Sequence, residues 1–322
     1  MPRHYLTAAL ACAALTIAGC GGDSNGSASG KFGQQPQITV PSPAPTKLTV
    51  TTPIVGDGPK IAANDFVVAQ VLAKIVRGGT AFFNSYENGT PVGFPMGGGQ
   101  LLPGWETGLL GKSQGSRVVI FTPPADAFGA QGNAQLKITK DDSLITSFDI
   151  LNVYKGNDSA NGTPVAPVAG LPTVTAEPGK KPKITFPANY KPSGKLVVQP
   201  LLQGDGATLQ TGDTLIAQYV GVISPSGKQF DASWDRKQVA SFPIGAGQVI
   251  PGWDKGLVGK KIGSRILLVI PPADGYGKTG NAQAGIKGTD TLVFVVDLLG
   301  LIPAPKPTTT ATTDTPTSAT TK

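Results

Sequence analysis

The chain contains itself twice. Residues 105–135 (WETGLLGKSQGSRVVIFTPPADAFGAQGNAQ) and 253–283 (WDKGLVGKKIGSRILLVIPPADGYGKTGNAQ) agree at 17 of 31 positions, at a constant offset of 148. The same offset pairs Gly56-Asp57-Gly58 with Gly204-Asp205-Gly206, and Ala69-Gln70 with Ala217-Gln218. A solenoid repeats every ~20–50 residues. A period of 148 is domain-sized, so the chain must build one globular fold twice. Aligning Phe83 with Phe230 and Asn84 with Asp231 places a one-residue length difference between these positions and the tryptophans, Trp105 and Trp253.

Composition marks the edges of the copies. Among 322 residues there are 43 glycines and 29 prolines, and only 15% are charged. That excludes a coiled coil or helical bundle, while 39% hydrophobic residues suffice for packed cores. Residues 20–46 are Gly-, Ser- and Pro-rich and read as a flexible tether. The copies occupy 47–154 and 195–303. Between them, residues 155–194 form a Pro-rich linker, with seven prolines in 162–194, and are expected to act as an extended, semi-rigid spacer. Residues 304–322 read as a disordered Thr/Pro-rich tail, since 308–322 holds nine threonines in fifteen.

Residues 1–19 read as a secretion signal. Arg3 and His4 precede an apolar stretch from Tyr5 to Ile17, whose ~13 residues fall short of the ~20 needed to span a bilayer. The following Ile17-Ala18-Gly19-Cys20 resembles the bacterial lipobox. The resemblance implies cleavage before Cys20, lipid on its thiol and amino group, and residence on the extracytoplasmic face of a cell membrane. His4, Cys12 and Cys20 are the only histidine and cysteines. A processed chain therefore has no means for Ser-His-Asp or Cys-His catalysis, or for a His/Cys metal site. The net charge is +7, but lysines and arginines are scattered with no aromatic-studded basic stripe, which argues against a nucleic-acid partner.

In the second copy, Thr214–Ile223, Ser264–Ile270 and Thr289–Leu299 are β-branched, apolar and bounded by turn residues, so strands are predicted there. Trp253–Val258, preceded by Pro251-Gly252, is the only plausible helix. Residues 271–288 form a long glycine-rich loop. The fold class is α+β: an antiparallel sheet packed on one short helix. Gly111-Lys112-Ser113 is not a phosphate-binding loop, because Glu106 stands where the glycine is required.

Six motifs in order carry a resemblance. They are Ala217-Gln218-Tyr219-Val220-Gly221, Gln229-Phe230-Asp231-Ala232-Ser233, Phe242-Pro243-Ile244-Gly245, Val249-Ile250-Pro251-Gly252-Trp253, Gly275-Tyr276-Gly277 and Leu292-Val293-Phe294. Over nearly its whole length the second copy resembles the FKBP-type peptidyl-prolyl cis–trans isomerases. The resemblance implies tandem FKBP-like domains, each a sheet wrapped around a short helix. It implies X-Pro rotation without a cofactor or metal, on proline-containing unfolded or exported polypeptides, with macrolides as inhibitors; the alternative is a non-catalytic, chaperone-like binding or spacer lipoprotein that uses the same fold. By motif position it assigns catalysis to Asp231, Tyr219, Tyr276 and Ile250, and substrate binding to Phe230, Phe242, Val249, Trp253, Ile286 and Phe294. Ala240 stands where the family often has an aromatic, and the loop bearing Ile286 is one residue longer than the pattern.

In the first copy, Val71 replaces Tyr219, Asn84 replaces Asp231, Phe128 replaces Tyr276 and Thr146 replaces Phe294, while Trp105, Phe83, Phe94, Leu101 and Leu102 keep the apolar floor and walls. A folded domain with weak or no isomerase activity is expected. Two roles stay open for it: binding proline-containing or unfolded segments, or spacing the second copy from the membrane.

Overall fold

A computed structural model of the chain describes residues 27–305. The expected leader at 1–19, Cys20 and the tail from 306 onward lie outside the described residues. The first repeat opens with a hairpin, β1 (Ser27–Ser29) and β2 (Gln37–Thr39). Its sheet comprises β3 (Thr49–Ile54), β4 (Phe66–Ile75), β5 (Ala81–Asn84), β6 (Val92–Pro95), β7 (Arg117–Thr122) and β8 (Leu144–Tyr154), around helix α1 (Pro103–Leu109). The second repeat follows: β9 (Thr163–Pro164), a hairpin of β10 (Thr173–Thr175) and β11 (Lys183–Thr185), then β12 (Val197–Gln203), β13 (Thr214–Ser224), β14 (Lys228–Ala232), β15 (Ala240–Pro243), α2 (Pro251–Leu257), β16 (Arg265–Ile270) and β17 (Thr291–Ile302).

Both sheets have one topology. The order β5-β4-β8-β7-β3 matches β14-β13-β17-β16-β12, with β6 and β15 added to the long strands β4 and β13. The central pair β13/β17 is antiparallel from Thr214↔Ile302 to Ser224↔Thr291, with one register shift between Ile216 and Ala217. Each helix must lie close on the sheet, and its glycines permit this. A Cβ at Gly252 or Gly256 would meet Ile270 or Leu268 at 2.6 and 2.8 Å, and one at Gly104 or Gly108 would meet Thr122 or Ile120 at 2.5 and 2.6 Å. Pro103 and Pro251 open the helices, where no N–H donor is needed.

The register corrects the alignment. Ala73 pairs with Phe83 and Gly221 with Asp231; Val67 pairs with Phe94 and Leu215 with Phe242. The offset is therefore 148 throughout the sheet, with no length difference. Phe82 corresponds to Phe230, and Phe83, not Asn84, corresponds to Asp231. The two phenylalanines in a row misled the comparison, because side-chain identity alone cannot tell which of them faces the cleft.

Residues 162–194 are not a free spacer, and residues 27–46 are not a free tether. In the second sheet alternate residues of each strand point outward: Val220, Val222, Leu267, Val269, Val293 and Val295 make an apolar outer face. Leu171, Val174, Ile184 and Phe186 pack against it, and β9 extends the sheet beside β12. The first hairpin does the same with Ala28, Ile38 and Val40 against Val119 and Ile145. The reason is burial: both faces of these sheets are apolar, and an uncovered one would leave a row of valines in water. The signal was present, because Gly33, Pro36, Ile38, Thr39 and Pro41 recur as Gly179, Pro182, Ile184, Thr185 and Pro187, but at an offset of 146.

The repeats also touch each other. Phe66, Val68, Leu151 and Tyr154 of the first pack with Ile216, Val239, Leu299 and Ile302 of the second. Tyr154 lies so close to Gly300 that a Cβ there would collide with the phenol, and the Gln218 amide donates to the Gly156 carbonyl at 2.7 Å.

If the hairpins are structural, Ile38→Ala and Ile184→Ala should each lower the unfolding free energy of their repeat by about 1–2 kcal/mol, since each side chain is half-buried. Urea unfolding measures this, and two unchanged midpoints would restore the spacer reading.

Candidate active site

An apolar cleft of about 490 Å³ opens on the inner face of the second sheet. Trp253, on the first turn of α2, forms its floor. Around it stand Tyr219 from β13, Phe242 from β15 and Phe294 from β17, with ring centroids 5.5, 5.0 and 5.4 Å from the indole, all edge-on. Such edge-to-face packing aims the positive rim of one ring at the negative face of another. Phe230 from β14 closes on Phe294 at 5.3 Å. Gly221 makes that approach possible, since a Cβ there would meet Phe230 and Phe294 at 2.6 and 2.7 Å.

Polar groups are few and placed at the rim. The Tyr219 hydroxyl donates to Asp231 Oδ2. Arg236, which the sequence reading missed, donates from Nη1 to Asp231 Oδ1 at 2.6 Å and from Nη2 to the Tyr219 oxygen at 2.8 Å. Its guanidinium carbon lies 5.7 Å from the Tyr219 ring centroid. Asp231 is thus oriented on both oxygens and its charge is balanced. In Ser233-Trp234-Asp235-Arg236-Lys237 the arginine looks like part of a solvated turn. Only the 3-10 turn at Ser233–Arg236 folds it back over the phenol.

Val249 and Ile250 come from the loop before α2. Among the described residues no group accepts a hydrogen bond from the Ile250 N–H, so this donor is available at the cleft. Asp254 steadies the loop, accepting from the N–H groups of Gly245 at 2.6 Å and Gly247 at 2.9 Å. Tyr276, 37% exposed, reaches the rim from the loop after β16. The structure therefore brings Tyr219, Phe230, Asp231, Phe242, Val249, Ile250, Trp253, Tyr276 and Phe294 together around one cleft. Ile286 is the exception. It makes paired backbone hydrogen bonds with Asn281, both 2.8 Å, and lies 4% exposed in the apolar cluster that also contains Tyr219, Trp253 and Phe294, without lining the open cleft.

The corresponding cleft of the first repeat, about 470 Å³, has Trp105 as floor with Phe82, Phe83, Phe94, Leu101, Leu102 and Phe128 around it. No ionisable side chain lines it. Ala73 and Thr146 stand where Gly221 and Phe294 interlock, and Asn88 where Arg236 stands.

A family model described as FKBP-type peptidyl-prolyl cis–trans isomerase matches residues 58–150 and 206–299. An FK506-binding protein of Streptomyces anulatus is 42% identical over 122 residues, covering 38% of this chain and 98% of the relative. A probable FK506-binding protein of Corynebacterium glutamicum is 39% identical over 120 residues, or 37% and 98%. The peptidyl-prolyl cis–trans isomerase FKBP9 of Rattus norvegicus is 30% identical over 221 residues, or 69% of this chain and 32% of that one.

Burial, reinforced by the bond to Asp231, pushes the Tyr219 phenol up to about 12. The unfolded phenol titrates near 10. Between about pH 10 and 12 the unfolded chain has lost a proton that the folded one keeps, so this residue's contribution to stability is complete below pH 10 and declines across that interval. Denaturation at pH 9 and pH 11 should show a smaller loss of stability in Tyr219→Phe than in the parent chain, and an equal loss would mean that Tyr219 is not the shifted group.

Proposed function

This chain belongs to the FKBP-type peptidyl-prolyl cis–trans isomerase family, and we infer that its second repeat does the catalytic work while the first binds without turning over. The reaction is rotation about X-Pro bonds. Its barrier, ~18–20 kcal/mol, comes from the partial double bond of the amide, and uncatalysed exchange takes ~10–100 s at 25 °C. No covalent bond breaks, so neither nucleophile nor metal is required. Water stabilises the charge-separated form of the planar amide. A dry aromatic cleft removes that support, and each ~1.4 kcal/mol taken off the barrier is a tenfold gain in rate.

In this reading the proline ring rests on Trp253 between Phe230, Phe242, Val249 and Phe294. The Ile250 N–H and the Tyr276 hydroxyl hold substrate carbonyls. Asp231, held by Tyr219 and Arg236, interacts with the twisted amide and transfers no proton. The observation that carries the assignment is the Tyr219–Asp231–Arg236 cluster. It sets oriented charge at the mouth of an apolar cleft, whereas the first repeat has Val71, Phe83 and Asn88 at those positions. The first cleft keeps floor and walls, which supports binding of apolar, proline-containing segments.

Asp231→Asn and Tyr276→Phe in the full chain should lower kcat/KM on a chromogenic prolyl peptide several-fold with little change in unfolding midpoint. Trp253→Leu should reduce it by at least about tenfold and weaken FK506 binding, whereas Trp105→Leu should leave turnover intact. Equal losses from the two tryptophan variants would refute the division of labour.

The lipobox-like Ile17-Ala18-Gly19-Cys20 supports a lipid anchor outside the cytoplasm, where exported chains fold and are the natural clients. Labelled palmitate should be incorporated in cells and lost in Cys20→Ser; labelling that persists in the variant would remove the anchor.

A further inference from the structure

The outer face of the second sheet holds a cavity that prolyl isomerisation does not use. It measures about 400 Å³ and lies beneath residues 165–176, on the side of the sheet opposite Trp253 and Phe294. Val165, Val168, Leu171, Leu201 and Leu267 make it apolar, and its size falls within the range of ligand sites. Arg265 also lines it. That side chain is only 8% exposed and is paired with Asp297 through Nε at 2.5 Å and Nη2 at 2.6 Å. Its Nη1 has no hydrogen-bond partner among the described residues. Nη1 is not sealed from solvent, so it is a donor open to the cavity, where the carbonyl of an incoming chain can take the place of water.

The first repeat shows which acceptor such an arginine takes. Arg117 is the counterpart of Arg265 and pairs with Asp149 in the same way, at 2.6 and 2.7 Å. Its other donors take main-chain carbonyls from the turn of its own hairpin: Gly30 and Lys31 at 2.9 Å, Gln34 at 2.8 Å and Ser29 at 3.3 Å. In the second repeat the homologous turn is held elsewhere. Lys181 bonds Asp235 and Gln229, and the Gly179 N–H donates to Ser159. Ala176 lines the cavity instead of closing over Arg265.

We propose that this cavity is a second polypeptide-binding site, which takes a tight turn of a client chain and meets its main-chain carbonyls with Arg265 as residues 29–34 meet Arg117. Asp297 already neutralises the guanidinium and would repel an anion, so the favoured acceptor is a neutral carbonyl and not a carboxylate. The site is independent of the cleft, and a client could occupy both.

The test is calorimetric titration of the full chain with the acetylated, amidated peptide of residues 28–36. Saturable binding is expected, undiminished by saturating FK506 and weakened at least about tenfold in Val168→Trp, whose indole fills the cavity without touching the ion pair. Isomerase activity of that variant should be unchanged. Absence of binding at millimolar peptide, equal binding to Val168→Trp, or displacement by FK506 would each overturn the proposal. So would tighter binding of octanoate than of the peptide, because the site would then prefer anions.

Discussion

Everything in this molecule is arranged around sheets whose two faces are both apolar. The long pairs β4/β8 and β13/β17 are buried along nearly their whole length, and such strands need cover on either side. The inner face is covered by a single short helix, which cannot span it, and the uncovered remainder is the cleft. The outer face is covered by the hairpin that precedes each sheet. Site and scaffold are thus two consequences of one demand, the removal of valine, isoleucine and leucine from water.

The repeats diverged at the inner face while keeping this framework. Where Gly221 lets Phe230 and Phe294 interlock, the first repeat has Ala73 and Thr146. Where Tyr219, Asp231 and Arg236 bond one another, it has Val71, Phe83 and Asn88. These changes remove oriented charge and leave grease. On the outer face Arg117 is satisfied by its own hairpin, whereas Arg265 keeps a donor open to the cavity, so both candidate sites with oriented charge lie in the second repeat.

Much of the second cleft was legible because short motifs such as Val249-Ile250-Pro251-Gly252-Trp253 carry their own local geometry. Proline starts the helix, glycine lets it approach the sheet, and tryptophan on its first turn must then face inward. Arg236 was not legible, since nothing within five residues says that a turn will return it to Tyr219. The local structure around Ile286 was not legible either: a loop read as irregular contains paired backbone bonds between Ile286 and Asn281. The hairpins were hidden by an offset of 146 beside a dominant 148.

The amino-acid order by itself determined that one α+β domain is built twice, where the long strands and the short helix of its second copy fall, and that histidine and cysteine are absent after residue 20. Those properties depend on residue types and their near neighbours. The tertiary structure alone decided that Phe83 and not Asn84 stands opposite Ala73, that proline-rich segments fold back as lids, and that the repeats share an apolar contact. These depend on which surfaces remain uncovered once the sheets have formed, a quantity that belongs to the assembled fold and to no single stretch of chain.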